Sequence, residues 1–197
     1  MKMSAARLPV PLAAGIVIAL LLPYTVLNTL FPGPVVTYAL GLVLAALALG
    51  ALWLAGVAPG ACGVRVAPLS RRGAWALLAL ALYVPATVLA GVSQPWSWVA
   101  ALVYAPASAL GQELYFRGAL LAAVRRLMPA RQWHAVALQA LAFAVWHVRA
   151  FRVVAPGLAL LALGGTALAG AVWGWQARRD STLLYAWLEH TLFLIVV

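Results

Sequence analysis

The chain has 197 residues, of which 66% are hydrophobic and only 8% are charged. Soluble domains carry roughly 25% charged residues, so this composition excludes an ordinary soluble fold and indicates an integral membrane protein. About seven spans of about 20 residues would fill most of the chain and leave only short loops. We therefore predict an all-α, polytopic membrane bundle of about seven transmembrane helices, which forms a single domain over 1–197.

The net charge of +10 raises the question of a nucleic-acid partner. The basic residues, with the exception of Arg117, lie in or near the breaks between apolar runs, as expected for the loops of a membrane protein. The lipid bilayer is therefore their predicted partner, and no nucleic acid is expected. The single cysteine, Cys62, excludes an internal disulfide.

Pro-Gly clusters and arginine-rich breaks divide the chain into apolar runs. The break at 31–34 contains Pro-Gly-Pro and ends the first run. That first run resembles a signal peptide in its basic start, but it is too long and lacks a clear cleavage site, so we predict that it is retained. The predicted spans, in chain order, are 9–30, 35–57, 73–92, 98–124, 133–148, 156–177 and 181–197.

The loop arginines predict the orientation of these spans. Basic residues cluster at Lys2 and Arg7, at 65–72, at 125–131 and at 178–179, and all of these fall on one side if every span crosses. The positive-inside rule then places the N-terminus in the cytoplasm and the C-terminus outside. The exceptions are two basic residues on the outer side, which either flank a helix end or face a polar cavity: Arg149 and Arg152.

The sixth predicted span, 156–177, carries small side chains at a helical spacing. Ala162, Thr166, Gly170 and Gly174 recur every four residues, so one face would let a neighbouring helix approach closely. We interpret this face as a packing seam and assign it no chemistry.

Polar residues inside the apolar runs are the functional candidates, because a charge in the bilayer centre costs about 2.5 kcal/mol or more. Asp180 falls in a predicted loop, whereas Glu113 and Glu189 fall inside predicted spans. His147 and His190 are also intramembrane by this prediction. At about 1.5 Å of rise per residue, Glu113 and these histidines reach a similar depth on three helices, so we predict that they share one cavity.

Each of these residues also has a purely structural interpretation. Glu113 and Arg117 are spaced i, i+4 in the order that favours an intrahelical ion pair, which would neutralise both without any catalytic role. His147 alone would most often be a satisfied core histidine, and His134 is interpreted as interfacial. A carboxylate and two imidazoles at one depth nevertheless favour a site that binds and deprotonates water or holds a divalent metal.

Three motifs in the second half of the chain are similar to those of a known family. The segment QELYFRG at 112–118 resembles the first motif of the CAAX-protease and bacteriocin-processing family of intramembrane endopeptidases, a Glu pair followed after three residues by Arg. Phe143, with His147 four residues later, resembles the second motif, and His190 resembles the third. The resemblance covers about 100–197, which divides the chain into N-terminal helices at 1–95 and a protease-like core at 96–197.

The resemblance implies a peptidase that uses activated water to hydrolyse a peptide bond in a membrane-anchored protein or peptide. Two positions depart from the family pattern. Gln112 replaces the Glu that is thought to activate water, and Gln cannot take a proton near neutral pH. Leu194 replaces an Asn, and Leu offers no donor to a developing oxyanion. The implied catalytic candidates are Glu113, His147, His190, Gln112 and Arg117.

Two acids are candidates for the missing base. Glu113 could rotate into that role, or Glu189 could reach the cavity from the seventh span. Glu189 has the alternative of an ion pair with Arg149 or Arg152. The residues predicted to support the site are Glu189, Phe143 and Arg149. A metal has been suggested for the family, and its ligands here would be His147 and His190; no other cofactor is expected.

Other functions fit the same residues. The departures at Gln112 and Leu194 suggest, as an alternative, a catalytically silent relative that binds or escorts a membrane protein. A small transporter or proton relay also fits intramembrane Glu and His, although three motifs in register argue against it. The Ala, Leu and Arg content favours a bacterial source, so the predicted location is the bacterial inner membrane, and prenylated substrates are the least expected.

Overall fold

The computed structural model describes residues 7–31, 34–65, 73–74, 77–78, 81, 99–149 and 156–196. These residues form helices and connecting turns without any strand, which confirms the predicted all-α class. The helices are α1 (Val10–Ala19), α2 (Leu21–Leu30), α3 (Pro34–Leu54), α4 (100–127), α5 (Gln132–Trp146), α6 (Pro156–Asp180) and α7 (Leu184–Val196), and a 3₁₀ turn occupies Pro59–Cys62.

Within the described residues, two stretches are long and apolar enough to cross a membrane. One is Val10–Leu30, in which α1 and α2 continue through Leu20, and the other is Gly157–Asp180. Tyr38–Leu54 and Leu184–Ile195 are shorter apolar helices. The third predicted span, 73–92, lies almost wholly outside the described residues, so the count of seven spans stays a prediction.

Helix α4 changes its hydrogen-bonding pattern along its length. It is π-helical over Ala100–Tyr104, α-helical over Ala105–Glu113, π-helical again over Leu114–Leu120, and α-helical to its end. Leu121 N–H donates to the carbonyl of Phe116, five residues back, as in a π-helix. Such π segments often lie at functional sites. Here the second one begins directly after Glu113.

The described basic residues separate between the two ends of the bundle. At one end, Arg65 Nε donates to Ser181 O at 2.6 Å, and a cavity brings Arg125 and Arg178 together. At the other end, Arg149 Nη1 donates to Asn28 O at 3.1 Å. The predicted grouping of the loop arginines is therefore confirmed for these residues.

Close helix approaches occur where side chains are absent. A Cβ on Gly111 of α4 would lie 3.0 Å from the backbone carbon of Gly41 on α3, so these two helices touch through their glycines. A Cβ on Gly170 of α6 would lie 3.1 Å from the Cα of Ala140 on α5. The predicted seam of small residues is thus used at Gly170, as in other membrane helix pairs.

Candidate active site

Glu113 is the centre of a buried polar cluster. Its side chain is fully buried, and its Oε1 accepts a hydrogen bond from His190 Nδ1 at 2.8 Å. The same oxygen lies 3.1 Å from Arg117 Nη1. The ion pair predicted from the i, i+4 spacing is therefore confirmed, and it does not prevent Glu113 from also binding a histidine of α7. Helices α4 and α7 together supply this cluster.

The hydrogen bond to Glu113 defines the tautomer of His190. An ionised carboxylate only accepts hydrogen bonds, so Nδ1 carries the proton and the neutral ring keeps its lone pair on Nε2. The ring is 2% exposed and stacks on the indole of Trp173, with 4.6 Å between ring centroids and 24° between planes. Two contacts from different helices thus hold this imidazole in one orientation.

His147 has the same tautomer for a different reason. It follows α5 directly, in a short 3₁₀ turn, and its Nδ1 lies 2.8 Å from the carbonyl oxygen of Phe143. A carbonyl only accepts, so Nδ1 is the donor and Nε2 holds the lone pair. His147 is half-buried, whereas His190 is buried. One imidazole therefore lies nearer the surface of the protein than the other.

Phe143 joins the two histidines. Its ring centroid lies 4.4 Å from that of His147 and 5.8 Å from that of His190. The distance between the two imidazole centroids therefore cannot exceed the sum of these two distances. The guanidinium of Arg117 also lies over the Phe143 ring, 3.9 Å from its centroid. These contacts place Phe143 next to both histidines, while its supporting role stays a prediction. Three predicted site residues, from α4, α5 and α7, converge around it.

Gln112 and Leu194 bring no ionisable group to this cluster. Gln112 is buried, and its Nε2 donates to Ser108 Oγ at 3.0 Å, one turn back along α4. Its Oε1 has no hydrogen-bond partner among the described residues. Leu194 is half-buried and apolar. The amide of Gln112 is thus engaged locally rather than with either histidine.

Glu189 has partners that the sequence did not indicate. Its Oε2 accepts from Trp173 Nε1 at 3.1 Å, and its Oε1 accepts from Gln176 Nε2 at 2.8 Å. The suggested ion pair with Arg149 is wrong, because Arg149 donates to a backbone carbonyl at the far end of the bundle. The other suggested partner, Arg152, lies outside the described residues.

These contacts connect Glu189 to the surroundings of His190. It ties α7 to α6 through Trp173, the same indole on which His190 stacks. The sequence analysis missed Trp173 because a tryptophan in an apolar span is most simply interpreted as lipid-facing. Gln176 was a usable signal, since an amide in the last turns of an apolar helix needs a partner.

The donor atoms of this cluster decide whether it could hold a metal ion. Catalytic zinc sites have three protein ligands, and no group of three or more His, Cys, Asp or Glu side chains suited to a metal occurs within the described parts of the chain. The two imidazole Nε2 atoms are available, and so is Oε2 of Glu113, whose Oε1 contacts Arg117 and His190. These donors are not gathered into one such group of three among the described residues. The described residues therefore do not fit a catalytic metal, and no step is derived through one.

The apolar helices indicate an integral membrane protein. Its polar cluster combines a carboxylate, a guanidinium and two imidazoles from different parts of the bundle. A family model described as type II CAAX prenyl endopeptidase Rce1-like matches residues 94–196, just over half of the chain. The chain belongs to this family, which is a family of proteases, and the resemblance drawn from the three motifs is confirmed. No curated protein and no solved structure matches the chain.

Proposed function

We propose that this protein is an intramembrane endopeptidase that hydrolyses a peptide bond in a membrane-associated protein or peptide. The observation that carries the proposal is the 2.8 Å hydrogen bond from His190 Nδ1 to the buried carboxylate of Glu113. A carboxylate that holds an imidazole by Nδ1 presents Nε2 as a base, which is the arrangement by which hydrolases activate a nucleophile.

In this mechanism His190 is the general base. Its Nε2 takes a proton from a water molecule while the water oxygen attacks the carbonyl carbon of the scissile peptide bond. The resulting imidazolium is stabilised by the carboxylate of Glu113, to which its Nδ1 donates. When the tetrahedral intermediate collapses, the C–N bond breaks and His190 returns the proton to the leaving amine, so that no net proton is gained or lost.

His147 positions the attacking water. Its Nδ1–H is engaged with the carbonyl oxygen of Phe143, so its Nε2 accepts a hydrogen bond from the second O–H of the same water. Arg117 holds the carboxylate of Glu113 in place through the 3.1 Å contact of Nη1 with Oε1. In this proposal Gln112 does not act as the base, so the mechanism does not require an acidic residue at position 112.

We propose that the chain has about seven spans in a bacterial inner membrane, forms one domain with N-terminal helices at 1–95 and a core at 96–197, and has a cytoplasmic N-terminus. The grouping of Arg65, Arg125 and Arg178 at one end supports this orientation. In spheroplasts of a Cys62→Ala background, an impermeant thiol reagent should label the Arg131→Cys variant only after lysis. Labelling of intact spheroplasts would contradict this orientation, because the introduced cysteine would then face the outside.

The catalytic assignment is tested with purified protein in liposomes and a panel of reporter peptides anchored by one apolar helix. We expect His190→Ala and His147→Ala each to reduce cleavage by about 10²-fold or more, the range of a lost acid–base group. His134→Ala is the matched control, because His134 is exposed on α5 and lies outside the cluster. Gel filtration and circular dichroism should show that all three variants keep the native fold.

Two results would contradict the proposal. One is cleavage at the wild-type rate by a His147→Ala, His190→Ala double variant. The other is the absence of cleavage of every reporter, both by the wild-type protein and by a Gln112→Glu, Leu194→Asn variant that restores the family pattern. The second result would favour the silent relative that binds or escorts a membrane protein.

A further inference from the structure

A cavity of about 390 Å³ lies at the end of the bundle that collects the basic residues. It is bounded by the 3₁₀ turn at Pro59–Cys62, by the C-terminal parts of α4 and α6, and by the start of α5. Four guanidinium groups line it, and none of its described lining residues is acidic. Those four arginines are Arg117, Arg125, Arg126 and Arg178.

The inner wall of the cavity contains a buried cation with donors to spare. Arg117 has no exposed side-chain surface, and its Nε and Nη2 have no hydrogen-bond partner among the described residues. Its one ionic partner is Glu113, which it approaches through Nη1. Buried charged donors are normally satisfied, so the three N–H bonds on these two nitrogens, in a residue that lines a polar cavity, indicate an acceptor supplied from outside the protein.

The remaining cations are held in place without being neutralised. Arg125 donates through Nε to Gln132 Oε1 at 2.6 Å, and Arg178 lies over the ring of Trp133 at 5.1 Å. Burial, with the charges of Arg178 and Arg126, lowers the pKa of Arg125. An anion in the cavity would remove this repulsion.

Asp180 precedes Ser181, which lines the cavity, but it does not supply that negative charge. Asp180 accepts two hydrogen bonds from its neighbour Arg179, at 2.6 and 2.7 Å, and it is not part of the lining. The positive charge of the cavity is therefore left for a ligand. Several guanidinium forks around one space match the oxygens of a phosphate group better than a single carboxylate, because each fork can bind two oxygens.

We propose that this cavity is a phosphate-binding site, occupied either by the headgroup of an anionic phospholipid or by a soluble phosphate. Basic pockets between membrane helices are suited to phospholipid headgroups, and this one lies at the basic end of the bundle. Arg117 belongs to both regions, because it lines the cavity and its guanidinium also lies 3.9 Å from the ring centroid of Phe143. The proposal concerns binding alone and does not depend on peptidase activity.

The test uses the full chain in nanodiscs of phosphatidylcholine, of phosphatidylcholine with phosphatidic acid, and of phosphatidylcholine with added inorganic phosphate at constant ionic strength. Thermal unfolding is followed in each, and bound phospholipid is counted by native mass spectrometry. A lipid ligand should raise Tm and be retained only in the second preparation. A soluble ligand should raise Tm saturably in the third.

Two variants separate the cavity from the general surface charge. An Arg125→Gln, Arg178→Gln variant removes two lining charges and should weaken binding by about tenfold or more. Arg131→Gln is the matched control, because it removes an exposed charge from the same end of the bundle but not from the cavity. It should change binding by less than about twofold.

Two outcomes would overturn the proposal. One is the absence of any Tm shift with phosphatidic acid or with inorganic phosphate, together with no retention of phosphatidic acid. The other is an equal loss of binding in the cavity variant and in the Arg131→Gln control, which would mean that the surface charge as a whole attracts anions. Neither the Tm measurement nor the lipid count depends on cleavage, so a negative result would not contradict the proposed peptidase function.

Discussion

Replacing Glu113 with glutamine separates the structural role of this carboxylate from its chemical role. Glutamine keeps the size of the side chain but removes its charge, so the fully buried Arg117 loses its ionic partner at 3.1 Å. Breaking a buried pair from one side typically costs about 3–5 kcal/mol, because an uncompensated charge remains. We therefore expect Glu113→Gln to lower the free energy of unfolding by about that amount.

The same substitution should also slow cleavage. An amide can either donate to or accept from His190 Nδ1, so the tautomer with its lone pair on Nε2 is no longer enforced. In the proposed mechanism this removes the orientation of the base and the stabilisation of the imidazolium, and we expect a rate loss of about 10²–10⁴-fold. Both quantities are measured on one preparation, by denaturant titration in detergent and by reporter cleavage.

A double variant distinguishes the two effects. Glu113→Gln combined with Arg117→Met removes both charges and replaces the guanidinium with an apolar chain, so stability should return toward that of the wild type. Cleavage should stay low, since His190 still lacks its carboxylate. Recovery of cleavage together with stability would refute the reasoning, because Glu113 would then act only by neutralising Arg117.

Three further predictions follow from the same contacts. Gln112→Glu with Leu194→Asn should raise the cleavage rate above that of the wild type, measured as kcat on the same reporter; a lower rate would show that the native pair is adapted to a different site geometry. Gly111→Ala should destabilise the fold by about 1–3 kcal/mol, because its Cβ would press on the backbone of Gly41, whereas Gly164→Ala, with nothing within 4 Å, should have little effect. Equal unfolding midpoints for the two variants would contradict the close crossing of α3 and α4. Cleavage should persist after dialysis against EDTA, since the described donor set does not fit a catalytic metal; loss of cleavage that added zinc restores would contradict that assignment.

The parts of the site that the sequence predicted correctly depend on local spacing or on depth. The pairing of Glu113 with Arg117 follows from helical periodicity, which is a property of one segment. The meeting of Glu113 with His190 followed from their similar depth, because residues at one level of a bundle need only a suitable helix rotation to touch. Depth could not indicate which atoms meet. That His190 binds Glu113 through Nδ1 was shown only by the structure.

The parts that it did not predict depend on rotation and on hydrogen-bonding pattern. Whether Glu189 faces an arginine or an indole is decided by how α6 and α7 turn toward each other, which an apolar sequence with few polar markers hardly specifies. The change of α4 to a π pattern after Glu113 has no signal in composition, since the same residues satisfy either hydrogen-bonding pattern.

The partners of Glu189 explain how two buried acids can take different tasks in one bundle. Both oxygens of Glu189 accept hydrogen bonds from α6, and one of the donors is the indole on which His190 stacks. Glu189 therefore acts on the imidazole through the position of Trp173, whereas Glu113 acts on it directly through Nδ1. With the ring held from two sides, the orientation of the proposed base does not depend on residue 112. A carboxylate at that position would add a second base to a site that already has an oriented one.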